Sequence, residues 1–176
     1  YNSQPIKSLQ SDITEIVKLK QKKPSDLGNI TLTLPNTYFA DTMFRANTVS
    51  TKSFILLLAQ KKPLSFITGS SVSLNAVLKE YNRNEFHHLY ARAFLKAGKN
   101  KYDTNCLANF CFLSQADNNA LGGVAPSEYR KKLGKDVNAI LERAICPSSL
   151  FADNFKAFIE ERSKLLAAEA EKVMQT

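Results

Sequence analysis

The hydrophobic residues of this chain recur mostly with helical spacing. In the first and last parts of the sequence, apolar side chains stand three or four positions apart with polar residues between them, which predicts amphipathic helices. Between residues 85 and 113 the pattern changes to short apolar runs divided by a polar loop, and such runs predict strands. We therefore expect a mainly α fold of the α+β class, in which helices surround one small β element.

The helical pattern predicts several separate helices. Their expected ranges are Leu9 to Lys20, Asn36 to Asn47, Thr51 to Lys61, Ser73 to Tyr81, Lys135 to Ile145 and Asp153 to Met174. The Thr51 to Lys61 segment is almost entirely apolar, so it should lie in the core. Asp153 is a candidate N-terminal cap of the last helix, and Leu27 to Leu34 is compatible with an extended segment.

Two of these helices have a defined apolar face that should be buried. In the Asn36 to Asn47 helix, the expected buried side chains are Tyr38, Phe39, Met43 and Phe44. In the last helix, they are Phe155, Phe158, Ile159, Leu165, Leu166 and Val173.

The segment from Glu85 to Pro126 contains both histidines of the protein, His87 and His88. Their apolar flanks predict a short strand, in which neighbouring side chains point to opposite faces. A second run, Leu107 to Leu113, follows a polar loop, so the two runs should pair as an antiparallel hairpin with a long connection. The Ser-x-x-Asp spacing from Ser114 then predicts the start of a helix.

A strand, loop, strand and short helix in this order can hold one divalent metal ion between hairpin and helix. The segment resembles the HNH, or ββα-metal, nuclease superfamily. It is most similar to the C-terminal nuclease domain of GmrSD-type restriction enzymes, including SspE-like proteins. The similarity lies in the motifs Glu-Phe-His-His, Ala-Asn-Phe and Asp-Asn-Asn, the last followed by Ala-Pro-Ser-Glu-Tyr. Proteins of this kind cleave foreign or modified DNA in bacteria.

The resemblance implies a role for four residues. His87 corresponds to the first metal ligand and His88 to the general base that takes a proton from the attacking water. Asn109 corresponds to the asparagine that braces the loop carrying the base. Asn118 corresponds to the second metal ligand, because it lies eight positions before Pro126.

The sequence departs from the family pattern at two positions. Ala91 stands where relatives usually have proline, which loosens the turn but removes no catalytic group. Asn119 stands where a basic residue is common, so Asn119 is an alternative ligand to Asn118. Adjacent helical side chains diverge by about 100°, so only one of the two should reach a metal, and we favour Asn118.

The expected cofactor is one divalent metal ion. Imidazole and oxygen ligands without thiolates suit Mg²⁺ or Mn²⁺, with Zn²⁺ or Ni²⁺ as alternatives through His87. The three cysteines, Cys106, Cys111 and Cys146, are too few and wrongly spaced for a four-thiolate site, so no structural zinc is expected. We expect them to be reduced, partly buried small residues.

The formal charge of +8 favours a polyanionic partner such as DNA. The candidate DNA-binding residues are Arg83, Arg92, Lys96, Lys99, Lys101, Arg130 and Lys131. The alternative for each is a solvated cation or an ion pair, as between Arg83 and Glu80 or Glu85.

The chain of 176 residues is expected to form one HNH nuclease domain, with a helical shoulder at 1–82, the ββα-metal core at 83–133 and C-terminal helices at 134–176. Because it begins at Tyr1, we expect it to be a fragment of a longer bacterial, cytoplasmic protein. The resemblance implies an upstream NTPase or modification-sensing domain as partner. The longest strongly apolar run, Phe54 to Ala59, is too short to cross a bilayer, so no membrane partner is expected.

The expected function is metal-dependent DNA cleavage in restriction and phage defence, leaving 5′-phosphate and 3′-hydroxyl ends. One active site cuts one strand, so the monomer should act as a nickase, and a double-strand break would need a homodimer or two independent events. Two alternatives to this function stay open. The first is a non-catalytic DNA-binding or domain-docking module, and the second is a nuclease directed at RNA.

Overall fold

The computed structural model describes residues 5–27, 33–75, 86–95 and 100–174. The elements in chain order are α1 (Pro5–Lys20), α2 (Tyr38–Asp41), α3 (Val49–Gln60), β1 (Phe86–His88), α4 (Arg92–Leu95), a 3-10 turn (Leu107–Asn109), β2 (Phe110–Phe112), α5 (Gln115–Leu121), α6 (Pro126–Tyr129), a second 3-10 turn (Arg130–Lys132), α7 (Val137–Arg143), a third 3-10 turn (Ser148–Ala152) and α8 (Phe155–Met174). The fold of the described residues is thus mainly α with a two-stranded antiparallel sheet, as predicted.

The chain divides into two compact units, residues 1–33 and 34–176. In the first unit, α1 confirms the helix predicted from Leu9 to Lys20. The segment after the helix folds back onto it, because the Glu15 carboxylate accepts hydrogen bonds from the Asp26 N–H at 2.7 Å and from the Ser25 hydroxyl at 3.1 Å. Most of the extended segment predicted at Leu27 to Leu34 lies outside the described residues, since 28–32 are not described.

Helix α3 forms part of the core of the second unit, as its apolar sequence predicted. Its N-terminus is capped by Thr48, whose hydroxyl accepts a hydrogen bond from the Thr51 N–H at 3.3 Å. Phe54, Ile55 and Leu58 are almost completely buried. Of the next predicted helix, Ser73 to Tyr81, residues 76–81 lie outside the described part of the chain.

The helix predicted from Asn36 to Asn47 is wrong beyond Asp41. Thr42 is extended, with φ −95° and ψ 126°. Its carbonyl accepts from the Leu107 N–H at 2.8 Å, and the Phe44 N–H donates to the Asn105 carbonyl at 2.8 Å. Pairing with this distant segment replaces the local helical hydrogen bonds, and it places the Phe44 ring on Phe110 with centroids 4.1 Å apart.

Helices α7 and α8 confirm the two predicted C-terminal helices, but the start of α8 differs. Asp153 does not cap it, because Asp153 adopts a left-handed conformation with φ 54° and its carboxylate instead accepts from the Ser127 N–H at 2.9 Å. Asn154 provides the cap, since its side-chain oxygen accepts from the Ala157 N–H at 3.1 Å.

The buried face of α8 also differs in part from the prediction. Phe155, Phe158, Ile159 and Leu166 are buried as expected, whereas Leu165 and Val173 are 42% and 40% exposed. Leu165 lies about 100° around the helix from Leu166, so it leaves the buried stripe. Arg162 and Ser163 occupy that stripe instead and are fully buried.

The predicted hairpin is confirmed, with a change at its second strand. β1 and β2 pair antiparallel, with Phe86 opposite Phe112, His87 opposite Cys111 and His88 opposite Phe110. The first part of the run predicted as a strand is the 3-10 turn Leu107–Asn109, because the Asn109 N–H donates to the Cys106 carbonyl at 3.0 Å rather than to β1. Asn109 therefore lies at the corner that leads into β2.

The element directly after the hairpin follows the prediction. Ser114 caps α5 by accepting from the Asp117 N–H at 3.0 Å, as the Ser-x-x-Asp spacing indicated. Pro126 then opens α6. Among the described residues, no helix combines the length and the apolar character that a membrane crossing requires.

Candidate active site

The two adjacent histidines point to opposite faces of the hairpin, as the strand period predicted. His88 shares its face with Phe110, and the two rings lie 4.3 Å apart between centroids. Phe86 and Phe112 continue the same face, with centroids 4.8 Å apart. His87 is half-buried and lies opposite Cys111 on the other face.

His88 is half-buried and hydrogen-bonded, which determines its proton chemistry. Its Nε2 lies 3.1 Å from Oδ1 of Asn105, and the Asn105 N–H is itself fixed on the Asp103 carboxylate at 2.7 Å. Burial is the main cause that lowers the pKa of His88 below its ordinary value of 6.5; the hydrogen bond to Asn105 opposes this and the nearby Arg92 charge adds to it. The imidazole is therefore neutral near pH 7.

The partner of Nε2 also selects the tautomer of His88. A carboxamide oxygen only accepts hydrogen bonds, so Nε2 carries the proton and Nδ1 keeps the free lone pair. Nδ1 is thus the atom of His88 that is able to take a proton. The sequence did not indicate Asn105, because a single asparagine in a polar loop is usually a turn residue.

Asn109 is fully buried and joins the corner of β2 to the chain that follows the histidines. Its Oδ1 accepts from the Tyr90 N–H at 2.9 Å, and its Nδ2 donates to the Tyr90 carbonyl at 3.2 Å and to the Thr104 carbonyl at 2.8 Å. Its own carbonyl accepts from the Leu89 N–H at 2.8 Å. These are the contacts that a residue bracing the His88 loop would make.

Two buried tyrosines fix the same loop from the other side. The Tyr129 hydroxyl donates to the Leu89 carbonyl at 3.0 Å, and the Tyr90 hydroxyl donates to the Leu150 carbonyl at 3.0 Å. Burial raises the pKa of both phenols, so they remain protonated donors. These bonds hold the turn next to Ala91, where the sequence lacks the proline of the family pattern. Sequence reasoning missed both hydroxyls, because it treated Tyr90 only as an apolar flank of the strand.

Asn118 lies in α5, which begins directly after β2, and it is half-buried, whereas Asn119 is exposed. The residue before it, Asp117, is buried, and its carboxylate accepts from the Ser65 hydroxyl at 3.0 Å. This bond and the Ser114 cap fix the first turn of α5. Asn118 is thus the more buried of the two neighbouring asparagines.

The residues assigned to a metal by the resemblance are an imidazole and a carboxamide. Such a donor pair suits Mg²⁺ or Mn²⁺, which bind few protein groups and keep several waters, and the imidazole also suits Zn²⁺ or Ni²⁺. Within the described residues, no group of three or more His, Cys, Asp or Glu side chains is gathered around one point.

The three cysteines are free and buried. Burial is the main cause that raises the pKa of Cys106 to about 11 and that of Cys146 to about 12, and it also raises the pKa of Cys111. All three therefore remain protonated thiols near neutral pH, and a thiol in that form is a poor metal ligand.

The candidate DNA-binding residues differ in their surroundings. Arg92 opens α4, is exposed, and lies near enough to His88 to affect its pKa. Lys101 instead forms an ion pair with Glu160 at 2.9 Å, and the Tyr102 hydroxyl donates to the same carboxylate oxygen at 3.0 Å. Arg83, Lys96 and Lys99 lie outside the described residues.

The basic cluster after α6 forms the second 3-10 turn. Arg130 lies over the Phe151 ring, 5.1 Å from its centroid, and Lys131 is exposed. Lys132 donates to the Ala120 carbonyl at 2.8 Å, near the C-terminal end of α5, where a cation is favourable. The charged groups of Arg130 and Lys132 are therefore both engaged within the fold, by a ring and by a carbonyl respectively.

The site thus brings His88, Asn105 and Asn109 together around one loop, and Asn118 lies one turn into the following helix. Comparison of the chain with protein-family models, with curated proteins and with solved structures finds no match.

Proposed function

We propose that this chain is a metal-dependent DNA endonuclease of the HNH type. The single observation that carries the proposal is the pair of hydrogen bonds between the Asn109 carboxamide and the backbone of Tyr90, two residues after His88. They fix the segment that carries a neutral, half-buried imidazole, which is what a general base on a strand end requires.

In the proposed reaction, His88 acts as the general base. Its Nδ1 takes a proton from the water that attacks the phosphorus, while Nε2–H stays on Asn105 and holds the ring plane. A pKa below 6.5 keeps this nitrogen unprotonated at neutral pH. The water oxygen forms the new P–O bond and the P–O3′ bond breaks, which leaves a 5′-phosphate. The departing 3′ oxygen takes a proton from solvent to become the 3′-hydroxyl, and His88 releases its proton to solvent.

His87 and Asn118 would hold the divalent ion through an imidazole nitrogen and a carboxamide oxygen. When bound, such an ion supplies charge neutralisation for the phosphate and for the departing 3′ oxygen. The Ser114 cap and the bond between Asp117 and Ser65 keep the first turn of α5 in place, so that Asn118 is presented from a fixed helix.

DNA is the proposed substrate because the chain carries a net charge of +8 and exposes Arg92 close to His88. Cations bind the phosphate backbone without reading sequence. We extend the proposal to a restriction role in bacteria, with an upstream NTPase or modification-sensing domain as partner. The monomer would nick one strand.

The experiment that tests the proposal uses supercoiled plasmid and a folded RNA as parallel substrates. Each is incubated with the protein and Mg²⁺, Mn²⁺, Zn²⁺ or Ni²⁺, and a matched reaction contains excess chelator. We expect open-circular plasmid to appear with Mg²⁺ or Mn²⁺ and to be abolished by the chelator. Cleavage of RNA alone would replace DNA by RNA as the substrate, and cleavage of neither with any metal would leave a binding module.

A further inference from the structure

Arg162 is a fully buried cation in the middle of α8. Its guanidinium donates to four backbone carbonyls: Nη1 to Ala108 and to Phe110, both at 2.8 Å, Nε to Ile145 at 3.1 Å, and Nη2 to Ala144 at 3.1 Å. The Cys111 thiol is a further contact, and its hydrogen bond with Arg162 opposes the rise of the Cys111 pKa. Arg162 thereby joins α8, the end of α7 and the start of β2.

These contacts use the shape of the guanidinium as much as its charge. A buried charge is costly unless hydrogen bonds satisfy it. The planar fork of arginine has five donors in fixed directions, so it can satisfy several carbonyls that diverge from one point. A lysine ammonium has three donors on one atom, and it cannot span the carbonyls of both β2 and α7 from the same helix position.

The two carbonyls bound by Nη1 lie on either side of Asn109 in the chain, because they belong to Ala108 and Phe110. Asn109 in turn bonds both backbone groups of Tyr90, and its carbonyl accepts from Leu89, the residue next to His88. A continuous path of hydrogen bonds therefore runs from Arg162 through the corner of β2 to the histidine strand.

We propose that Arg162 is a positioning residue for the candidate active site, which fixes the orientation of Asn109 and, through it, the backbone that carries His88. Its effect on cleavage rests on the proposed function, whereas its effect on the loop does not. Arg162 does not touch the substrate in this scheme. It restrains the backbone on both sides of Asn109 through the Ala108 and Phe110 carbonyls.

The test compares Arg162→Lys with Ser163→Ala. The Arg162→Lys variant keeps a buried cation but loses the fork. Ser163 is the matched control, because it is its buried neighbour on α8, and its hydroxyl accepts from the Ala40 N–H at 3.2 Å, away from β2. Both variants change buried hydrogen bonds of α8, but only Arg162 donates to the carbonyls on either side of Asn109.

The readouts are amide exchange at Tyr90 and the NMR signals of the Asn109 side-chain NH₂ group. In Arg162→Lys we expect Tyr90 exchange to be faster by about tenfold or more, together with displaced Asn109 signals. Where cleavage is measurable, kcat should fall with KM nearly unchanged. In Ser163→Ala these quantities should stay close to wild type.

Equal changes in the two variants, or an unchanged Tyr90 and Asn109 in Arg162→Lys, would overturn the inference. If Arg162→Lys does not fold, native-state hydrogen exchange of the wild-type protein in dilute urea tests the inference instead. The Arg162 Nε–H and the Tyr90 N–H should then open in one cooperative step, and independent opening would overturn the inference. Absence of cleavage by wild type would refute the proposed function but leave these NMR results interpretable.

Discussion

The carboxamide of Asn109 holds both backbone hydrogen-bonding groups of Tyr90, with Oδ1 accepting from the N–H at 2.9 Å and Nδ2 donating to the carbonyl at 3.2 Å. A side chain that bonds both groups of one distant residue fixes its position and its orientation together. Since Tyr90 follows His88 by two residues, the histidine strand is tied directly to the corner of the second strand.

Replacing Asn109 by Ala should destabilise the fold and misplace His88. The buried N–H and carbonyl of Tyr90 and the half-buried carbonyl of Thr104 would lose their partners, so we expect a loss of about 3 kcal/mol in the free energy of unfolding. Urea denaturation measures it. Asn118→Ala serves as control and should cost less than about 1 kcal/mol; equal losses in the two variants would contradict a special role for Asn109.

Replacing His88 by Ala should abolish plasmid nicking without unfolding the protein. Removal of a general base lowers the rate by about 10²- to 10⁴-fold, and the half-buried site at the end of β1 can accommodate a smaller side chain. Nicking rates and far-UV circular dichroism are the measurements. A folded variant that cuts at the wild-type rate would remove His88 from the base role.

The two neighbouring asparagines of α5 should differ in metal binding. Asn118 is half-buried and Asn119 is exposed, so Asn118→Ala should weaken Mn²⁺ binding measured by calorimetric titration, whereas Asn119→Ala should leave it nearly unchanged. Each variant is the control for the other, because they change the same side chain one position apart. The reverse ranking would move the ligand to Asn119.

The pH dependence of nicking should report the surroundings of His88. Burial lowers the pKa of His88 below 6.5, so the neutral base persists in mildly acidic solution, and activity should decline only as the pH falls through that lowered pKa. The hydrogen bond to Asn105 raises this pKa. Asn105→Ala should therefore move the acid limb to still lower pH. Rate profiles and an NMR titration of His88 test the shift, and a limb that moves upward would contradict this electrostatic account.

Two lysines should contribute differently to DNA binding. Lys131 is exposed, whereas the Lys101 ammonium is paired with Glu160 at 2.9 Å. Lys131→Gln should reduce the slope of log K against log salt by about 1, and Lys101→Gln should change it less. Fluorescence anisotropy of a labelled duplex across a salt series measures both slopes. A larger loss at Lys101 would show that its ion pair opens to bind phosphate.

The hairpin shows how far sequence patterns reach in this protein. The apolar flanks of the two histidines predicted a strand, whose period places them on opposite faces, and the Ser-x-x-Asp spacing located the start of α5, because both depend on neighbours in the chain. The Leu107 to Leu113 run carried the same apolar signal throughout, yet its first part is a 3-10 turn. The difference arises from bonds to residues more than a dozen positions away, such as Thr42 and Tyr90.

The sequence by itself determined the features that depend on residues a few positions apart: the helical periods of α1, α3 and α8 and the helix start at Ser114. It also predicted the pairing of two apolar runs as an antiparallel hairpin. Only the tertiary structure decided that the helix after Asn36 ends at Asp41, that Asn154 rather than Asp153 caps α8, and that Arg162 is buried while Leu165 is exposed. The physical reason is that hydrogen bonds and packing with distant segments stabilise the observed conformation at these positions. Their contribution is larger than the local preference for a helix, a cap or a buried apolar side chain.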